Sequence, residues 1–300
     1  MLKCTYIILL NNNENNIDNL INSLKAINGN FRKEFIIVDD GSEDNSLNVA
    51  KAAVNDLPRT TIISQEKQGF AVSVNKAISL ASGDYIHFVE GDEVVNPFST
   101  GCMIDSCIKF GTEVACFLPD EPDEKANSNI NDNSVTFYVA TPADSRLVQN
   151  PIAEILLNKS PALRNIGASG SLVSRNLLER VNKADEGIYS QTMSLSLRCA
   201  KHSKFVLINN ILSFKRKSDL PVDSNFELYN NLQAIYKFAV DNPEICNDYR
   251  VEMMDYLSLQ AKTTKAKIKY YSYLMEAKYL KLIKLDTILK FYKTEYEKLF

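Results

Sequence analysis

The sequence predicts an α/β protein: a doubly wound, mostly parallel sheet flanked by helices over residues 1–218, then a helical C-terminal region over 219–300. Three observations predict it. Short apolar runs alternate with segments of helical period through the first hundred residues, the pattern of a parallel sheet whose crossovers are helices. Two of those runs end in acids, Asp39-Asp40 and Glu90-Gly91-Asp92-Glu93, and in an open α/β sheet ligands collect just past the carboxyl ends of the strands. From Asp219 onward the alternation stops and only helical spacing remains.

The elements follow in order. Residues 5–10 are almost continuously apolar, as a strand buried on both faces requires. A polar turn over 11–16 separates them from Ile17, Leu20, Ile21 and Leu24 at helical steps, with Asp18 in the first turn, where the helix dipole favours negative charge. Residues 35–38 form the second strand and run into Asp39-Asp40-Gly41-Ser42. Leu47, Val49, Ala50 and Val54 then read as a helix capped by the Asp44-Asn45-Ser46 turn. A third, short strand over 61–64, a turn at Gln68-Gly69 and a helix over 72–81 stopped by Gly83 complete the pattern.

The next strand begins at Tyr85 and ends in Glu90, Asp92 and Glu93 around Gly91. Clustered carboxylates suit a hard, oxygen-loving cation, here one holding a phosphorylated substrate; three acids alone also fit a solvated strand exit. His87 shares a face with Tyr85 and reads as a packed core histidine. His202, near a helix end, sits where the dipole favours it without further function. Beyond Pro97 the sequence gives a helix over 100–110, a strand over 114–118 and an exposed polar loop over 120–134. A strand over 166–174 and a helix over 176–181 follow.

Composition excludes several classes. With 45% hydrophobic and 24% charged residues the chain is that of a soluble globular protein. Six scattered cysteines and two histidines support neither a disulfide framework nor a zinc site, so a reducing cytoplasm is the expected setting. No apolar run approaches the roughly 18 residues that span a bilayer, and the apolar start dies in asparagines, unlike a signal peptide. From Lys262 to Phe300 ten lysines face four acids, a charge of +6, which leaves −9 on the first 261 residues from the total of −3. An acidic body argues against nucleic acid as a partner. In the basic tail Ile268, Tyr271, Met275, Tyr279, Leu282, Leu285, Leu289, Tyr292, Tyr296 and Leu299 form one apolar stripe. The stripe fits packing onto the main domain, pairing with a second subunit, or lying peripherally on an anionic membrane surface.

Residues 4–218 resemble an inverting family 2 glycosyltransferase of the GT-A fold, of the kind that builds bacterial surface polysaccharides. The landmarks occur in order: Asn12-Asn13-Glu14, the run from Ile37 to Ser46, Gln68-Gly69 with Asn75, the run from Ala81 to Ile86, and Glu90-Gly91-Asp92-Glu93 before Pro97. The resemblance implies a nucleotide-sugar donor held by Asn12, Glu14, Asp39, Asp40, Gly41, Ser42, Gln68, Gly69 and Asn75. The Asp pair would serve the base and ribose. It implies a divalent cation, manganese or magnesium, on Asp92 and Glu90 that bridges the two phosphates, and a glycan or lipid-linked hydroxyl as acceptor.

Three departures stand against the pattern. The acidic pair that supplies the general base three residues before Leu195-Ser196-Leu197-Arg198 is replaced by Gln191 and Thr192, neither of which accepts a proton near neutral pH. Val74 stands where relatives carry an Arg, and Leu9 where they carry a Pro. Asp185 and Glu186 are a substitute base or a plain turn, and Lys215-Arg216-Lys217 a pyrophosphate clamp or a solvated edge. Two functions therefore compete: a glycosyltransferase, or a non-catalytic relative that binds a sugar nucleotide or a partner enzyme.

Overall fold

The computed structural model describes residues 1–118, 141–157, 159–187, 191–210, 212–215, 231, 234–235, 237–239 and 241–249. The first half comprises β1 (Lys3–Leu10), α1 (Ile17–Lys25), β2 (Arg32–Asp40), α2 (Ser46–Ala53), β3 (Thr60–Gln65), α3 (Phe70–Leu80), β4 (Tyr85–Glu90), β5 (Glu93–Val95) and α4 (Ser99–Phe110). Then come β6 (Val114–Cys116), β7 (Ser145–Val148), α5 (Pro151–Leu156), β8 (Ser171–Ser174), α6 (Arg175–Arg180), α7 (Gln191–His202), β9 (Phe205–Ile208), β10 (Ser213–Lys215) and α8 (Pro243–Asn247).

Eight strands form one sheet in the order β3-β2-β1-β4-β8-β6-β9-β7. β3, β2, β1 and β4 are mutually parallel, β8 and β7 run against their neighbours, and β6 and β9 pair in parallel. The expected mostly parallel, helix-flanked sheet is thus observed. β5 and β10 make a separate antiparallel pair, with Glu93 opposite Lys215.

Strand alternation divides the core in two. Ile7, Ile36, Val38, Ile86 and Phe88 face α3, α6 and α7, whereas Tyr6, Ile8, Leu10, Phe35 and Ile37 face α1, α2 and α4. Each fully buried Leu, Ile or Phe contributes about 1.5–3 kcal/mol, so the two faces together fix the strand register. His87 is a core residue, as its face predicted: it is fully buried, its Nδ1 lies 3.0 Å from Thr100 Oγ1, and its ring packs on Tyr6. Ala234, Ile235, Phe238 and Ala239, in the region expected to be a separate helical extension, bury into the α3/α7 side of the core.

Several elements differ from expectation. The run over 166–174 pairs only from Ser171, because Gly167, Ser169 and Gly170 take it through turns first. α7 starts at Gln191, one turn before Leu195. The cap of α2 is Asn45, whose side chain makes no capping hydrogen bond to the helix backbone; Asp44 Oδ1 instead accepts from Ser46 N–H at 2.9 Å. The loop at 120–134, the side chains of Lys215, Arg216 and Lys217, and the apolar stripe of the basic tail lie outside the described residues.

Candidate functional site

Register brings the acid-tipped strand ends together. Asp39 pairs with Leu10 and Ser64, Asp40 with Gln65, and Glu90 with Leu9, so β1 to β4 end at one edge of the sheet. A cleft of about 370 Å³ opens there. Leu9, Leu10, Asn11 and Asn13 come from the end of β1 and its loop, Asp40 from β2, and Glu90, Gly91 and Asp92 from the end of β4. Lys67, Gly69, Phe70 and Ser73 close it from the start of α3.

The walls are stitched by side chains that the sequence had assigned to the donor. Asn12 N–H donates to Ser42 Oγ at 3.0 Å, and Asn12 Oδ1 accepts from Glu43 N–H at 2.9 Å. Asn13 N–H donates to Ser46 Oγ at 2.7 Å, and Glu14 exchanges bonds with Asp44 and Asn45 N–H. Asn12 adopts a left-handed backbone, φ 57°, which Asn tolerates better than most residues. Two glycines permit close approaches. At Gly41, φ +70°, a Cβ would lie 2.7 Å from the Lys67 nitrogen, so the turn after β2 packs directly on the loop before α3. At Gly91 a Cβ would lie 2.5 Å from Asn13 Oδ1.

The paired acids divide between the two faces of the sheet. Asp40 faces α3 and accepts from Gln65 Nε2 at 2.9 Å, Gln68 N–H at 2.9 Å and Gly69 N–H at 2.8 Å. Burial alone would raise its pKa, but these hydrogen bonds outweigh it and hold the carboxyl below its ordinary value. Asp39 faces the α1/α2 side, is 3% exposed, and has Ser64 Oγ 3.5 Å from its Oδ2. Its buried Oδ1 has no hydrogen-bond partner among the described residues.

Glu90 and Asp92 both line the cleft, whereas Glu93 does not. Glu93 is buried, its Oε2 accepts from Glu90 N–H at 3.2 Å, and burial pushes its carboxyl up to about 7. Among the described residues no three His, Cys, Asp or Glu side chains form a ready metal cage. Two carboxylates at an open cleft suit magnesium or manganese, which usually take one or two carboxylates plus substrate phosphates.

The remaining candidates lie elsewhere. Asn75 does not line the cleft: its Oδ1 accepts from Ala184 N–H at 2.8 Å, and its Nδ2 donates to Ala184 O at 3.0 Å and Glu186 Oε1 at 2.8 Å. Asp185 pairs with Lys237 and accepts from Gly187 N–H at 3.0 Å. Burial opposes its charge, but Lys237 and Gly187 outweigh this and hold its pKa below the ordinary value. It lines a second cavity of about 290 Å³, with Arg198, Lys201, His202, Lys237 and Asp241 among its neighbours. Glu186 is exposed and lines neither. The structure therefore gathers Asp40, Gly69, Glu90 and Asp92, sets Asn12, Glu14, Gly41, Ser42 and Gln68 behind them, and leaves Asn75, Asp185 and Glu186 apart. Sequence reasoning missed Lys67, Phe70 and Ser73; the charge of Lys67, one residue before the Gln68-Gly69 turn, was the available signal.

Comparison with known proteins bears on this cleft. The sequence profile described as Glycosyl transferase family 2 matches residues 5–179. Glycosyltransferase GlyG of Streptococcus pneumoniae serotype 4 is 26% identical over 203 residues, 65% of each chain. The matched stretches span 24%, 32% and 65% of the lengths of the first three curated relatives. Among solved structures, S. aureus TarS 1-349 in complex with UDP-GlcNAc is 13% identical with a TM-score of 0.60, covering 99% of this chain and 92% of the other. Mannosyltransferase PcManGT from Pyrobaculum calidifontis in complex with GDP-Man and Mn2+ is 11% identical with a TM-score of 0.59, covering 100% and 81%. At these identities the structural likeness is one of fold.

Proposed function

Because the chain belongs to glycosyl transferase family 2, whose profile matches more than half of its residues, we propose that it transfers a sugar from a nucleotide-diphosphate-sugar donor to a hydroxyl acceptor with inversion. The observation that carries this reading is the convergence of Asp40, Glu90 and Asp92 on one cleft at the carboxyl ends of β1, β2 and β4. In it, Asp92 and Glu90 would hold manganese or magnesium, whose charge would offset that of the departing diphosphate. Asp39 offers its buried Oδ1, which has no hydrogen-bond partner among the described residues, to a donor N–H or hydroxyl, and Asp40 fixes the Gln68-Gly69 turn against which the donor lies. Asn12, Glu14, Gly41, Ser42 and Gln68 act by holding those loops. Asn75 acts on the donor side only through α3.

An acceptor hydroxyl must also lose a proton, and a positioned base typically contributes 10²- to 10⁴-fold in rate. In this reading the base is Glu186 or Asp185, once its segment has left Asn75 or Lys237 for the cleft. The acceptor we propose is a growing surface glycan or a lipid-linked intermediate at the inner face of a membrane, with the basic tail as a peripheral foot or a subunit contact. Among the described residues no helix is long and apolar enough to cross a membrane.

A second reading rests on the same acids: with Asp185 bound to Lys237 and Glu186 to Asn75, the protein binds a sugar nucleotide without turning it over. Release of nucleoside diphosphate from a donor panel with manganese, for wild type, Asp185→Asn and Glu186→Gln, separates the two. The transferase reading expects turnover in wild type and a loss of 100-fold or more in one variant at unchanged donor affinity. A wild type that binds a donor yet releases nothing with any acceptor extract leaves the binding reading.

A further inference from the structure

We infer that Lys67 is the side chain that contacts the diphosphate of the donor, making this loop lysine a specificity-determining residue for a pyrophosphate-bearing ligand. The inference rests on the donor reading above and goes beyond it, since Lys67 is neither one of the acids at the strand ends nor one of the family landmarks.

The argument is one of charge and geometry. The cleft is lined by three carboxylates, Asp40, Glu90 and Asp92, and among the described residues Lys67 is the one cation that lines it. An anionic ligand entering such a cleft is repelled unless positive charge is present on its own side of the site. The charge of Asp40 is answered by the donors of Gln65, Gln68 and Gly69; Glu90 and Asp92 suit a divalent cation. A divalent cation there would have its charge largely balanced by the two carboxylates, which leaves the charge of a diphosphate to a protein cation. α3 does not provide it: Gly69, Phe70 and Ser73 are uncharged, and Val74 is fully buried in the core.

Lys67 is built for the task. Its backbone is fixed on both sides, by the contact with Gly41 and by the bonds from the next two backbone N–H groups, Gln68 and Gly69, to Asp40. Its side chain is exposed, and among the described residues its ammonium has no hydrogen-bond or ion-pair partner. Lys25, Lys109 and Lys237, by contrast, are engaged with Asp56, Pro142 O and Asp185. A flexible ammonium on a fixed base is the form in which lysine binds phosphate, as a point charge that follows the anion.

The test compares ligands with and without the phosphates. Wild type, Lys67→Ala and Lys67→Arg are titrated with uridine and guanosine diphosphates at fixed manganese by calorimetry, and with the corresponding nucleosides by ligand-observed NMR. Because Lys67 is exposed, neither substitution threatens the fold. The expected result is a loss of about tenfold or more in diphosphate affinity for Lys67→Ala, nucleoside affinity unchanged, and recovery in Lys67→Arg; charge-assisted hydrogen bonds have this size. Diphosphate affinity unchanged in Lys67→Ala, or diphosphate and nucleoside weakened alike, overturns the inference and leaves the donor reading standing. A wild type that binds neither diphosphate overturns both.

Discussion

Replacing Asp40 by Asn asks whether the second of the paired acids is a scaffold or a ligand contact. Asp40 is 8% exposed, and its carboxylate accepts three hydrogen bonds at 2.8–2.9 Å, from Gln65 Nε2 and the N–H groups of Gln68 and Gly69. Bonds to a charged acceptor contribute about 1.5–3 kcal/mol each. An asparagine keeps one oxygen for part of this set and turns an NH₂ toward the rest. Allowing for relaxation of the loop, Asp40→Asn should cost about 2–4 kcal/mol, a fall in urea midpoint of roughly 1 M at an m-value near 3 kcal/mol/M. The pH dependence has a definite sign. Burial would raise the Asp40 pKa, but the hydrogen bonds lower it below the unfolded value. The stability it provides is therefore full above the ordinary carboxylate range and lost as pH falls through the lowered native value. The gap between wild type and variant should be constant near neutrality and close in acid. Asp39→Asn is the control: it removes a charge whose Oδ1 has no partner among the described residues, so the midpoint should hold while donor affinity falls. An Asp40→Asn protein with the wild-type midpoint but no diphosphate binding would refute the scaffold argument.

Asn75→Ala should free the 184–186 segment from α3, at a cost of about 1–3 kcal/mol for the lost amide bonds to Ala184 and Glu186. Hydrogen exchange should quicken at Ala184 while the N–H groups of Gln68 and Gly69 stay protected; equal exchange at Ala184 would show that the clip is idle. Asp92→Asn should make diphosphate affinity insensitive to chelation of manganese, and a variant that retains the wild-type metal dependence would remove Asp92 from the metal role.

The strands at the centre of the sheet were legible because burial on both faces leaves near-continuous apolar runs, as in β1 and β2. β5, β7 and β10 span only three or four residues, too few for a period to show. The cleft was legible where its residues stand at strand ends, as Asp40, Glu90 and Asp92 do. The partners of Asp40 were not, because Gln65, Gln68 and Gly69 lie 25–29 residues away and meet it only through the pairing of β2 with β3. Asn75 was assigned to the donor only through the family resemblance, in which it stands as a landmark with Gln68-Gly69. Helical geometry places it 200° around the axis from Ser73, at 100° per residue, so one residue faces the cleft and the other the 184–186 segment.

The two acids that remain as candidate bases are not equivalent. Asp185 is held by an ion pair with Lys237 and by the N–H of Gly187, and its pKa is depressed, which makes it a weaker proton acceptor. Freeing it would strand a cation in the second cavity as well as break two bonds. Glu186 is exposed, and among the described residues the one hydrogen bond to its carboxylate is from the amide of Asn75, at 2.8 Å. Exchanging one such bond for an acceptor hydroxyl costs little, because solvent already compensates an exposed carboxylate. If transfer occurs, Glu186→Gln should therefore lower turnover more than Asp185→Asn, and Asn75→Ala, which releases Glu186, should not abolish it. A turnover defect confined to Asp185→Asn would reverse this order and would require Lys237 to move with the loop.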